Sequence, residues 1–433
     1  MRSRARCVHW RTTSHPQGAA ELSAGEKRWR LVLAGTILQL GLGTIYAWSY
    51  FQSLLIKWYR WTYIETALAF SLLILTIGVS AAWGGFNLPR LGARRLAVIG
   101  SALFGVSFLL GGLALHFKSP PLFYLGFSVV GGLGVGLGYV TPVSTVAKWF
   151  PDAKGLVTGV VVMGFGFGAF FMSKLLAPIF LRFLKGDLVA TFCMMSVLFL
   201  VVLVPISSLL REPSSKPTPA EKTAPVIPSS PRVYLLSGAY ARLWLMFFFN
   251  IGAGIAVISL MSPMLQEIWG IKDPTLEPVV LAEYGATLIA VRSLFNGVGR
   301  LFWALISDRF GRILTLRIII ASQLVVFGVL LIERDPWIFS ALICYVLLCF
   351  GGGFGVMPAF VSEVFGEKNM PIIYGTLLTA WSSAGVAGPL IVAALADGFP
   401  DRALLYCLLT GVLFLACAFI ASYLSDDDPY EVL

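Results

Sequence analysis

The chain has 433 residues, 58% of them hydrophobic and 12% charged, with a formal net charge of +10. A soluble domain carries roughly twice that charged fraction, so composition excludes an ordinary soluble fold and points to a polytopic helical membrane protein. The excess of positive charge raises nucleic acid as a partner, and the placement of the charges along the chain argues against it.

Residues 1–30 hold seven basic residues and no apolar core, which predicts a basic cytoplasmic tail rather than a signal peptide. Apolar stretches then predict six membrane helices near 31–53, 64–84, 95–115, 121–145, 155–180 and 187–210, together forming an N-terminal bundle over 31–210. Residues 211–241 are rich in Pro, Ser and charge and predict a cytoplasmic linker. Six further helices follow near 242–265, 281–306, 313–333, 336–360, 372–397 and 402–424, forming a C-terminal bundle over 242–424, and 425–433 is an acidic tail. With both termini placed in the cytoplasm, 21 Lys and Arg fall on the cytoplasmic side and 8 outside. That bias is the positive-inside rule at work. The basic balance therefore reports orientation in a bilayer, expected to be a bacterial-type plasma membrane, and nucleic acid is not expected as a partner.

The six cysteines show no metal-ligand spacing, and His9, His15 and His116 lie in tails or near a span end. Neither a cofactor nor a catalytic nucleophile–base pair is expected, so the chain is not read as an enzyme. Instead the eighth span carries the informative residue. Arg300 lies eight positions inside an apolar segment whose aqueous end is Asp308 to Arg312. Eight residues at about 1.5 Å each place its backbone roughly 12 Å into a ~30 Å core. A guanidinium cannot escape such a position by deprotonating, and intramembrane charges usually face a binding cavity. Arg300 is expected to anchor a small organic anion. Glu65, Glu283, Glu363 and Asp397 all fall near predicted helix ends, so no deep carboxylate is available to carry a proton, which favours exchange or uniport.

The two halves repeat. The segments beginning at Gly85 and Ala304 are 219 residues apart, and Pro142 with Pro358 and Gly159 with Gly375 are each 216 apart. Two parallel six-helix repeats put a substrate site at the midplane between them. The two segments resemble the loop signature of the major facilitator superfamily, Gly-x-x-x-Asp-Arg-x-Gly-Arg-Arg. The second keeps Asp308, Arg309, Gly311 and Arg312, with Ala304 in the first Gly position. The first keeps Gly85, Arg90, Gly92 and Arg94, with Pro89 in the Asp position. The resemblance implies an all-α membrane fold of twelve helices in two pseudo-symmetric six-helix bundles. It also implies a gating role for Gly85, Arg90, Asp308, Arg309, Gly311 and Arg312.

Residues 134–159 and 294–312 further resemble the oxalate/formate antiporter branch, related to the monocarboxylate transporters. That likeness places Arg300 on the arginine that binds substrate carboxylate, and Trp381 where the branch has a lysine. It places Tyr46, Tyr139, Phe165, Phe350 and Phe354 on the aromatic cavity lining. Asn296, one turn from Arg300, replaces an aspartate of the monocarboxylate transporters and cannot carry a proton. With one cation replaced by an indole, a dianion would leave a charge unpaired in a dry cavity. The expected substrate is therefore a monocarboxylate, with oxalate disfavoured, carried by a monomer. A transporter of sugars, peptides or drugs, or a non-transporting sensor on the same scaffold, stays open at this point.

Overall fold

The computed structural model describes residues 24–213, 231–398 and 402–423. Residues 1–23 of the expected tail, 214–230 of the expected linker and the acidic tail 425–433 lie outside them. The described residues form twelve long helices: α1 (Arg28–Tyr59), α2 (Tyr63–Leu91), α3 (Ala93–His116), α4 (Pro120–Trp149), α5 (Pro151–Phe183), α6 (Leu188–Ser207), α7 (Gly238–Lys272), α8 (Pro278–Phe310), α9 (Arg312–Leu330), α10 (Pro336–Phe365), α11 (Met370–Gly398) and α12 (Ala403–Tyr423). Eleven carry a stretch long and apolar enough to cross a membrane, and α11 is 29 residues long.

Helix ends follow local chemistry. Thr62 and Glu65 close a capping box at the start of α2. Asp187, Ser237 and Asp335 cap α6, α7 and α10 with their side-chain oxygens. Gly92 (φ 77°, ψ 156°) ends α2 and starts α3, and Gly311 (φ 87°, ψ 154°) does the same between α8 and α9. The two turns share one backbone shape at an offset of 219 residues, the offset of the sequence repeat. Such positive φ values favour glycine, which explains why both copies keep it.

The first six helices pack among themselves, as do the last six. The halves meet chiefly where α2 lies along α11 and α5 lies along α8, a pair of crossings that the repeat would interchange. Both are built from small residues that let backbones approach. A Cβ on Gly85 would sit 2.2 Å from the Pro371 carbonyl oxygen, and one on Gly166 would sit 2.5 Å from Gly297 Cα. Pro142 inside α4 removes one helical N–H. In the same stretch, the Gln39 side chain of α1 donates to the Tyr139 carbonyl at 3.0 Å.

Candidate functional site

Arg300 sits where α8 crosses α5, and it is fully buried at 0% exposure. Its guanidinium lies between two aromatic faces, 5.4 Å from the Phe165 ring centroid and 4.7 Å from that of Phe354. Each face supplies cation–π attraction of about 0.5–2 kcal/mol, which helps hold the charge in a dry setting. Nη1 donates to the Val162 carbonyl at 3.3 Å and to Tyr139 Oη at 3.4 Å. Both bonds are long and correspondingly weak. Nε and Nη2 are buried and have no hydrogen-bond partner, and no acidic side chain among the described residues pairs with Arg300. These two N–H groups form one edge of the guanidinium fork, spaced to meet both oxygens of a carboxylate. The side chain opposite is absent: Gly166 faces this edge, and a Cβ there would lie 3.3 Å from Nε.

Around this centre the aromatic residues form a connected set. Phe165 meets Tyr139 edge-on at 4.9 Å and Tyr46 at 5.2 Å. Trp381 bridges the two halves, 6.3 Å from Tyr46 and 6.0 Å from Phe354. Tyr139, Phe165 and Phe354 thus meet the guanidinium, and the buried Tyr46 hydroxyl lies within electrostatic reach of it. Phe350 packs on Phe354 at 5.4 Å but turns towards Gly254 of α7, so it supports the cage instead of lining it. Asn296 is buried, and its backbone carbonyl lies against Gly351 of α10. Its Oδ1 points the same way and has no partner, and it makes no hydrogen bond to Arg300 or Tyr139. Sharing a helix face by sequence spacing did not bring it into the cage, because α10 lies to one side of Arg300.

Sequence reasoning missed Tyr374. It is fully buried, its hydroxyl has no partner, and its ring stacks 6.4 Å from Tyr139. Its spacing of seven from Trp381 puts both on one face of α11, a signal that was available in the sequence. The other deep amides serve structure. Gln39 holds Tyr139, and Gln323 of α9 donates to Asn250 of α7 at 3.0 Å.

At the helix ends near the α8–α9 turn the halves are tied by charge. Asp308 accepts hydrogen bonds from the Gly155 and Leu156 backbone N–H groups at the start of α5, at 3.2 and 2.9 Å. A Cβ on Gly155 would lie 2.2 Å from Asp308 Oδ1, so a larger residue would break this contact. Within the second half Arg312 pairs with Asp308 at 2.6 Å and Glu363 at 2.8 Å, and across the halves Lys154 pairs with Glu367 at 2.7 Å. Arg309 lies over the Phe310 ring. In the first copy Pro89 has no side-chain acceptor, and Arg90 is exposed with no ion pair among the described residues. There, the close approach of Gly85 to Pro371 holds α2 to α11.

The family model described as Major Facilitator Superfamily matches residues 31–389 and 274–432. The chain belongs to the major facilitator superfamily. Superfamily membership makes it a multi-pass membrane transporter, not an enzyme. The chain is 28% identical to an uncharacterised MFS-type transporter, YhjX, of Escherichia coli K12, over 81% of this chain and 84% of that one. It is 23% identical to the oxalate:formate antiporter of Oxalobacter formigenes over 89% of both. It is 27% identical to apicoplast pyruvate carrier 1 of Toxoplasma gondii over 70% of this chain and 64% of that one. Among solved structures, the proton:xylose symporter XylE superposes with a TM-score of 0.67 at 16% identity, covering 92% of this chain and 95% of that one. That superfamily likeness concerns the fold alone.

Proposed function

We propose that the chain carries a small monocarboxylate across the membrane by alternating access, with Arg300 binding the carboxylate. The observation that carries this is the fully buried guanidinium whose Nε and Nη2 edge has no partner. An uncompensated buried ion costs several kcal/mol, and a carboxylate supplies the missing countercharge and both acceptors. Phe165 and Phe354 give apolar faces, and Tyr139, Tyr46 and Tyr374 add hydroxyls near the guanidinium, suited to a small acid with a short apolar or hydroxylated body. Trp381 adds bulk but no charge, which disfavours oxalate. Of the deep amides a sugar would need, Gln39, Asn250 and Gln323 hydrogen-bond to protein groups away from Arg300. Relatives named for oxalate, formate and pyruvate transport agree in substrate class.

Alternating access in this reading opens the α5–α8 and α2–α11 crossings in turn. Positive-inside bias makes the Asp308 end cytoplasmic, so its contacts with α5 would hold the inner side shut. Gly85, Arg90, Arg309, Gly311 and Arg312 would serve the same closure. The bundles 31–210 and 242–424 would rock about the site as a monomer in a plasma membrane, with both termini inside.

The test is counterflow in proteoliposomes without a pH gradient, using a panel of labelled mono- and dicarboxylates. Accumulation should be confined to monocarboxylates and should vanish in Arg300→Gln while membrane insertion is retained. Normal transport by that variant would end the proposal.

A further inference from the structure

Arg300 is not the only cation on this face of α8. Arg292 lies two turns further along, about 12 Å away at ~1.5 Å per residue, on the side away from the Asp308 contacts. It is half-buried, its Nε is enclosed without an acceptor, and neither a carboxylate nor a hydrogen-bond acceptor engages it among the described residues. The residue as a whole keeps some exposure, whereas Arg300 has none. Cys344 of α10 is within electrostatic reach. Between the two arginines, Asn296 presents an unpartnered buried Oδ1. Positions 292, 296 and 300 therefore stack along an arc of about 80°, and each leaves a polar group unsatisfied inside the protein. Packing alone does not account for this, since buried polar groups in folded proteins are as a rule paired.

We infer that Arg292 is a second, outer binding position for the carboxylate, which an anion occupies before passing along α8 to Arg300. This rests on the carboxylate reading of Arg300. A half-buried, unpaired guanidinium attracts an anion and offers it a loose contact. The enclosed fork at Arg300, flanked by rings, holds it tightly. Two cations in line also raise the local concentration of anions at the mouth of the path and exclude cations from it.

The experiment is counterflow of labelled pyruvate and of labelled formate by wild type, Arg292→Gln, Arg292→Lys and Arg300→Gln, over a range of ionic strength. Each variant is first shown to be monodisperse in detergent. Arg292→Gln should raise KM about tenfold with little change in maximal rate, and its KM should lose most of its dependence on salt. Arg292→Lys, which keeps the charge, should stay near wild type. Unchanged KM and unchanged salt dependence in Arg292→Gln, or an equal loss in Arg292→Lys, would assign Arg292 to packing and overturn the inference. Arg300→Gln separates the two readings. If it is inactive while Arg292→Gln behaves as wild type, only the outer position falls. If it is active, the carboxylate site falls and the outer position falls with it.

Discussion

Asp308→Asn should loosen the closure between the halves by an amount that the geometry lets one work out. The carboxylate receives two backbone N–H groups of α5 at 3.2 and 2.9 Å and the Arg312 guanidinium at 2.6 Å. An amide keeps one acceptor oxygen and no charge. It forfeits the interaction with the α5 N-terminus, worth about 0.3–1 kcal/mol, and one charge-assisted bond, worth about 1.5–3 kcal/mol when buried. The side chain is 28% exposed, so screening lowers the sum to roughly 2 kcal/mol. At about 1.4 kcal/mol per tenfold, this shifts the closed-to-open ratio by ~30-fold. The neighbouring Lys154–Glu367 pair, with Glu367 at 43% exposure, supplies at most about 1 kcal/mol and cannot compensate. Spin labels at Asp152 and Lys368 would report the separation of the halves at this end. The unsubstituted background should give one short distance, and Asp308→Asn should populate a second, longer one. An identical distribution in both proteins would refute the assignment of this contact as a closure.

Three further outcomes follow from the geometry. Gly166→Ala should place a methyl 2.5 Å from Gly297 Cα, forcing α5 and α8 apart, so counterflow should fall at least tenfold while expression and monodispersity are kept. Trp381→Lys should restore a second cation beside the cage and admit oxalate, read as a rise of about tenfold or more in oxalate over formate exchange. The Asp335 carboxyl is held below the usual carboxylate range by the Lys272 ammonium, and by the Ile338 and Trp337 N–H groups at the start of α10. A depressed folded value gives stability that is present above the unfolded carboxylate pKa and lost as pH falls through the folded one. Asp335→Asn should therefore flatten the acid limb of melting temperature against pH below about pH 4, and an unchanged limb would show the pair to be irrelevant.

The fold was legible because the bilayer leaves few options. Each span had to be a helix, and the repeat at offsets of 216 and 219 had to fold twice the same way, as the matching turns at Gly92 and Gly311 show. Arg300 was legible for a related reason, since a cation in hydrocarbon is costly enough to stand out from any apolar run. Its surroundings were less legible, because they depend on rotation about helix axes that sequence spacing fixes only within one helix. Asn296 shares a stripe with Arg300 yet faces α10, and Phe350 shares one with Phe354 yet faces α7. Tyr374 enters the cage through stacking on Tyr139, a partner 235 positions earlier. What decides such placements is where backbones touch, and here they touch at glycines. Gly166 against Gly297 and Gly355 against the Arg300 carbonyl set the rotation of α5, α8 and α10 together. The same contacts that close the crossing thus aim the guanidinium edge at the space beside Gly166. On the carboxylate reading proposed above, binding and closure are coupled for that reason: a carboxylate entering there parts α5 from α8 and supplies the acceptors whose absence makes the closed crossing costly.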